Sequence, residues 1–121
     1  MITEARSDQT IVHAVLSGET LEYEELVARY QRDVWKIAAS MLLNHAETED
    51  VVQQAFIDAY EHLDRFDPQH EFRPWIREIA RNAVRMHWRK QGAYRRHLLL
   101  YREDLLARMA EESYQQETDR R

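Results

Sequence analysis

The sequence predicts an all-α fold, a compact bundle of about four helices with a C-terminal linker helix. The 121 residues contain only two glycines and two prolines, which leaves few positions for hairpin turns. Alanine, leucine, glutamate, arginine and glutamine, all good helix formers, are abundant. Apolar residues also recur at three- and four-residue spacing along most of the chain, as they do on one face of a helix.

The first part of the chain divides at residues that end or cap helices. A short helix is expected over residues 8–17, with Gly18 as the residue that ends it. A second helix is expected to begin after Thr20, a capping residue, and to run to about Leu43. Both carry their apolar side chains on one face, so both should pack against a common core.

A third helix is expected from Asn44 to about Leu63. The Asn44 side chain can cap its first turn while Glu47 reaches back to the capping residue. Residues 66–71 then interrupt the apolar pattern, which predicts a loop between the third and fourth helices.

The fourth helix is expected to have Pro74 in its first turn, where a missing N–H group costs little. It should last to about Gln91, because Gly92 behind it is a typical residue after a helix end. Residues 93–115 predict a separate last helical segment, and the charged tail beyond them should fray.

Residues 73–96 form a basic stretch within an acidic chain. The stretch holds eight arginines and lysines against one acid, Glu78, so its charge is +7. The whole chain is −5, and the other residues therefore sum to −12. At 100° per residue, five arginines fall on the face of the fourth helix opposite its apolar side. These are Arg73, Arg77, Arg81, Arg85 and Arg89.

Trp88 projects from the same face as these arginines. Cations that follow phosphates, together with a ring on which a base can stack, are typical of a surface that binds single-stranded nucleic acid. A second explanation stays open, because every core helix needs a soluble back and Trp88 could cover a neighbouring helix.

The outward side of the third helix is polar and acidic. It carries Asp50, Gln53, Gln54, Asp58 and Glu61. Such a face suits a basic protein surface and repels DNA, although a charged exposed face is most often only solvated. Together, the two helix faces indicate a module held between a protein partner and a nucleic acid.

The sequence contains no motif for a metal, cofactor or catalytic site. The six histidines lack metal-ligand spacing, cysteine is absent, and no glycine-rich phosphate loop or nucleophile motif occurs. We therefore expect no catalytic residue, no metal, no cofactor and no enzymatic activity. No apolar run approaches the roughly 18 residues of a membrane span, and we expect a cytoplasmic protein.

Three stretches in order resemble a known family. They are DVVQQAFIDAY at 50–60, LDRFD at 63–67 and FRPWIREIARN at 72–82. They are similar to conserved region 2 of bacterial sigma factors, specifically the extracytoplasmic-function (ECF) type of the sigma-70 family. The resemblance implies a helical domain that binds core RNA polymerase through the clamp helices of its largest subunit. It also implies recognition and melting of the promoter minus-ten element, and a possible anti-sigma factor as a further partner.

The resemblance assigns roles residue by residue. Polymerase binding falls to Asp50, Gln53, Gln54 and Asp58 on the third helix. The loop 67–71 matches the family's specificity loop, which receives a base flipped from the non-template strand. DNA binding accordingly falls to Gln69, His70, Glu71, Arg73, Trp75, Arg77, Arg81, Asn82, Arg85, Trp88, Arg89 and Lys90.

The chain also departs from the family pattern. Many relatives have an acid at Gln54 and an aspartate at Met86. Residues 1–96 match the region 2 domain, and residues 97–121 resemble the linker helix and tail that precede a second domain, region 4. We expect that second domain to be absent, and both an excised domain and a region-2-only protein remain open. Two other functions also remain, a generic helical nucleic-acid-binding module and a helical adaptor without polymerase affinity.

Overall fold

The computed structural model describes residues 5–119, and every regular element within that range is helical. The all-α prediction is therefore confirmed. The ends of the predicted domain and of the predicted tail, residues 1–4 and 120–121, lie outside the described range. The α-helices are α1 Asp8–Leu16, α2 Tyr23–Met41, α3 His45–Glu61 and α4 Phe72–Asp119, with single 3₁₀ turns at Thr20–Glu22 and Leu63–Arg65.

Helix α1 is capped at its first turn and ends at the residue that the sequence predicts. The Ser7 hydroxyl accepts a hydrogen bond from the Thr10 backbone N–H at 3.1 Å, which satisfies a donor in the first turn. At the other end Gly18 has a φ of 110°, a conformation that favours glycine. The chain then folds back, and the Glu19 N–H donates to the Ala14 carbonyl at 3.0 Å. Gly18 as the residue that ends the helix is confirmed.

The predicted cap of the second helix is wrong. Thr20 belongs to the 3₁₀ turn Thr20–Glu22, and α2 begins at Tyr23 without a side-chain cap. The chain enters α2 through this tighter turn, in which the Glu22 N–H donates to the Glu19 carbonyl at 3.1 Å. A 3₁₀ turn supplies backbone acceptors where a capping side chain would otherwise be needed.

The predicted cap of α3 is confirmed. The Asn44 side-chain oxygen accepts from the Glu47 N–H at 3.1 Å. Thr48 is 3% exposed, and its hydroxyl donates to the Asn44 carbonyl at 2.9 Å, so this buried polar group is satisfied. The first turn of α3 is therefore held by both a cap and a side-chain-to-backbone bond.

The predicted helix end at Gly92 is wrong, because α4 runs without interruption from Phe72 to Asp119. Gly92 does not adopt the positive φ that ends a helix, unlike Gly18. A glycine inside a helix costs about 1 kcal/mol relative to alanine, which the surrounding helix formers can offset. The chain divides into two compact units within α4. The first unit ends at Met86 and the second begins at His87.

The core of the first unit draws on all four helices. It includes Ile11 and Val15 of α1, Val34 of α2, Ala55 of α3 and Ile76 of α4, each at most 6% exposed. An aromatic cluster surrounds Phe72, whose ring centroid lies 5.0 Å from that of Tyr30, 5.3 Å from that of Phe66 and 5.4 Å from that of Trp75. This cluster positions both the loop before α4 and the first turn of α4.

Candidate nucleic-acid and protein interfaces

An open groove of about 800 Å³ lies between α2 and α3. Its floor is apolar, with Val27 of α2 and Val52 and Phe56 of α3. The exposed residues Asp50 and Gln53 line the same groove, so acidic and amide groups border an apolar floor. This combination fits a protein segment that presents apolar side chains flanked by basic ones.

Two aromatic residues shape the groove and were not identified from the sequence. Trp35 is half-buried, with its ring centroid 5.1 Å from that of His45, and Tyr60 is 44% exposed. Trp35 follows the buried Val34 directly, so it falls beside the apolar stripe of α2 and not on it. A tryptophan beside the core-facing stripe was the signal that could have found it.

The groove walls are fixed to each other by Tyr23. Its hydroxyl donates to the Phe56 carbonyl across the helix pair at 2.5 Å, and its ring meets Tyr60 edge-on at 5.1 Å. Burial, and secondly the neighbouring Tyr60, raises the pKa of Tyr23 well above its usual range. The phenol therefore keeps donating its hydrogen bond at more alkaline pH than an exposed tyrosine would.

The four residues assigned to polymerase binding fall into two pairs. Asp50 and Gln53 line the groove. Gln54 and Asp58 do not line it, and the Gln54 side-chain amide donates to the Asp58 carboxylate at 2.8 Å. The structure therefore brings the first pair together at the groove and engages the second pair with each other.

The loop assigned to base recognition is organised by Asp67. One carboxylate oxygen accepts the Gln69 N–H at 3.0 Å, and the other lies 3.0 Å from Nδ1 of His70. The His70 N–H also donates to the Asp67 carbonyl at 3.0 Å. Gln69, His70 and Glu71 keep their side chains exposed, so the loop holds a fixed backbone while offering polar groups to solvent.

Helix α1 supports this loop from the side. The Gln9 side-chain amide donates to the His70 carbonyl at 3.2 Å, over 61 positions of sequence. Next to Gln9, Asp8 accepts hydrogen bonds from Arg29, at 3.0 Å, and from the Tyr30 hydroxyl. Burial and the Asp8 contact raise the pKa of Tyr30 to about 12. No pattern in the sequence indicated that α1 contacts the loop.

The five arginines that share one face of α4 form a row from Arg73 to Arg89. The first two of them share one acid that was not identified from the sequence. Asp33 of α2 lies 3.2 Å from Nε of Arg73 and 3.4 Å from an Nη of Arg77, one contact at each carboxylate oxygen. The Arg73 guanidinium also stacks over the Tyr30 ring, 5.8 Å from its centroid. Helix α2 therefore restrains the start of the row.

The next two arginines share Glu78 of their own helix. Its carboxylate lies 3.4 Å from Arg81 and 3.2 Å from Arg85. The side chains of Arg81 and Arg85 are 42% and 50% exposed, and ion pairs this exposed are weak. The two arginines remain accessible to a polyanion that competes with Glu78.

The other residues assigned to DNA binding have different surroundings. Trp75 is half-buried, 5.5 Å from the Phe66 ring, so only part of its ring is accessible. Asn82 is exposed on the first unit. Trp88 is 46% exposed and, with the exposed Arg89 and Lys90, belongs to the second unit.

Residues 5–119 contain neither a cluster of metal ligands nor a membrane-spanning helix. The histidine, aspartate and glutamate side chains there form no group of three that could hold a metal ion. Within the same range, none of the helices combines the length and apolar character needed to cross a membrane.

Comparison with protein-family models decides the family. The model of sigma-70 region 2 matches residues 26–94, which is more than half of the chain. The chain belongs to the sigma-70 region 2 family. Sigma factors are transcription initiation factors and not enzymes, in agreement with the prediction that the chain is no enzyme.

The relatives of this region 2 domain are ECF sigma factors, as the sequence motifs indicated. The chain is 35% identical over 91 residues to the ECF RNA polymerase sigma-E factor of Escherichia coli K12, covering 75% of this chain and 47% of that protein. It is 31% identical over 84 residues to the RNA polymerase sigma factor NccH of Alcaligenes xylosoxydans, covering 69% and 45%. The chain therefore spans about half the length of the curated relatives it matches.

Two solved structures share the fold of this region 2 domain. One is an engineered region 2 of sigma-E in complex with GTAAAA, at 35% identity and a TM-score of 0.70, covering 75% of this chain and 95% of that chain. The other is CnrH in complex with the cytosolic domain of CnrY, at 32% identity and a TM-score of 0.60, covering 66% and 52%.

Proposed function

We propose that this chain is the part of an ECF sigma factor that binds core RNA polymerase and recognises and helps to melt the promoter minus-ten element. The observation that carries the proposal is the likeness to the sigma-E region 2 that was solved with GTAAAA, which extends over 95% of that chain. The generic nucleic-acid-binding module and the adaptor, the two other functions, both predict no affinity for core polymerase.

The groove between α2 and α3 supports a polymerase-binding role. Its apolar floor and its acidic border at Asp50 suit a partner that presents apolar and basic side chains, and we assign that role to the clamp helices of the largest polymerase subunit. Gln53 adds a hydrogen-bonding group at the same border. Within this proposal Gln54 and Asp58 lie outside the main contact, because neither lines the groove.

The loop and the arginine row support a DNA-binding role with two separate functions. Arginines spaced along a helix contact phosphates of any sequence, so Arg81 and Arg85 position the strand. The loop 67–71 offers the polar side chains of Gln69, His70 and Glu71 on a backbone fixed by Asp67, so it reads one extruded base. Trp88 offers a ring on which a base can stack.

Binding to core polymerase is tested first, because the nucleic-acid-binding module and the adaptor both predict no affinity for it. Changing Asp50→Arg together with Gln53→Ala should weaken binding to purified core polymerase at least tenfold, since an interfacial charge reversal costs several kcal/mol. The matched control is Glu112→Arg with Gln115→Ala, which makes the same charge reversal and the same loss of an amide, three residues apart, on the second unit. Equal affinities of the two variants would place the polymerase contact elsewhere.

The base-reading role is tested by loop exchange. Replacing residues 69–71 with those of a relative that has another promoter preference should change which base is tolerated at one minus-ten position. The Arg85→Ala variant should instead weaken binding to all sequences about equally. A loop exchange that lowers binding uniformly would move base reading to the helix around Asn82 and Trp88.

The protein partners of the chain form the last part of the proposal. CnrH was solved in complex with the cytosolic domain of CnrY, which supports a protein partner for this region 2 domain as well. We expect an anti-sigma factor in that role, competing for the groove between α2 and α3. This expectation is tested with purified proteins, by measuring whether such a partner displaces the chain from core polymerase.

A further inference from the structure

We infer that the second unit pairs with the same segment of a second copy of this chain, with the two helices antiparallel. The inference rests on an apolar stripe and on the distribution of charge along α4, and it does not depend on the proposed function.

The apolar stripe begins at Tyr94. It continues with Leu98, Tyr101, Leu105 and Met109, all between 44% and 66% exposed. At 100° per residue these five side chains fall within about 80° of the helix circumference. From Tyr94 to Leu105 the steps of four, three and four residues are typical of the seam between two paired helices, and Met109 follows after a further step of four. The stripe extends over 16 positions, about 24 Å along the helix axis.

Charge along the second unit is strongly divided. Residues 89–102 carry five basic side chains and no acidic one, which gives +5. Residues 103–119 carry six acidic side chains and one arginine, Arg108, which gives −5. In a parallel pair each half would lie beside a half of the same sign. In an antiparallel pair the basic half of one copy lies along the acidic half of the other, so charge selects a second copy in this orientation.

One flank of the stripe specifies the register. Lys90, His97, Asp104 and Glu111 follow one another at seven-residue spacing, so they share one side of the stripe. Antiparallel pairing that places His97 beside Asp104 of the second copy also places Lys90 beside Glu111 of the second copy. Within one helix Lys90 and Glu111 are about 31 Å apart and cannot contact each other.

Self-association of the full chain is the first test. The mass measured by sedimentation equilibrium should rise from the monomer's 14.6 kDa toward twice that value over roughly a hundredfold range of concentration. Leu98→Glu with Leu105→Glu should keep the chain monomeric and leave the core of the first unit intact, because neither residue belongs to that core. A wild-type chain that stays at the monomer mass throughout would overturn the inference.

Charge exchange tests the orientation. Lys90→Glu alone and Glu111→Lys alone should each weaken the dimer about tenfold, since each places like charges together at two symmetric sites. The double variant should restore wild-type affinity, which only contact between two copies can explain, because the residues are too far apart in one helix. The single-variant effects should disappear near 1 M salt, where the Debye length is about 3 Å. Additive losses in the double variant would refute antiparallel pairing.

Cross-linking gives an independent readout, because the natural chain has no cysteine. An equimolar mixture of His97→Cys and Asp104→Cys chains should form the mixed disulfide in excess over the two same-variant disulfides. A random distribution among the three products would contradict the proposed register.

Discussion

Replacing Asp33 with asparagine should strengthen binding to single-stranded minus-ten DNA. Asp33 lies within 3.4 Å of both Arg73 and Arg77, so its carboxylate competes with phosphate for these two guanidinium groups. Asparagine keeps the shape of the side chain and removes its charge. The arginines then become available to the DNA at no cost in breaking an ion pair.

The size of the effect follows from counterion release. Each additional phosphate contact to single-stranded DNA steepens the dependence of log K on log salt by about 0.7. At 0.1 M salt one further contact therefore corresponds to about fivefold tighter binding. The same change should lower stability, because two partly exposed ion pairs together contribute about 0.5–2 kcal/mol. For a chain of this size that is a fall in Tm of several degrees.

Fluorescence anisotropy with a labelled non-template strand, measured over a range of salt concentrations, tests both the gain in affinity and the steeper dependence of log K on log salt. The control is Glu24→Gln, which removes one negative charge from an exposed position of the same helix. If Asp33→Asn and Glu24→Gln change affinity equally, the effect is one of net charge, and the proposed restraint of Arg73 and Arg77 is refuted.

Three further predictions concern the supports of the site. Asn44→Ala should lower the free energy of unfolding by about 1 kcal/mol, because it removes the cap of α3. Gln9→Ala should reduce base discrimination more than overall DNA affinity, since it releases the His70 carbonyl of the loop. The pKa of Tyr30 is raised from 10.0 to about 12, so its contribution to stability is complete below pH 10 and is lost as pH rises toward 12. Tyr30→Phe should therefore show a shallower fall of Tm over that range.

Each of these predictions has a control. Asn44→Asp should keep most of the stability, because aspartate also caps helices, and an equal loss in both variants would contradict the capping argument. Gln9→Glu loses the amide donor to His70 but keeps the side-chain length, so unchanged base discrimination in both Gln9 variants would exclude a positioning role. Tyr114→Phe, at a 72% exposed tyrosine, should keep the wild-type alkaline slope.

The sequence predicted two of the helix ends correctly because their causes are local, whereas the cap at Thr20 was wrong because a 3₁₀ turn takes its place. The caps at Gly18 and Asn44 depend on residues within one turn, and the structure has them. The helix end at Gly92 was wrong because glycine only permits a positive φ and does not impose one. Contacts between distant segments could not be read from periodicity. Asp33 reaches Arg77 over 44 positions, and nothing in either helix alone indicates the pair.

Support of the loop by α1 bears on which piece of the chain can be studied in isolation. The matched family region begins at residue 26, after α1 has ended. A fragment trimmed to that region would lose Ile11, Val12 and Val15, at most 6% exposed, whose burial contributes about 1.5–3 kcal/mol each. Their sum is comparable to the whole stability of a small domain, 5–15 kcal/mol. The smallest autonomous folding unit is therefore larger than the stretch that sequence similarity delimits, and a minimal fragment should start no later than Ser7.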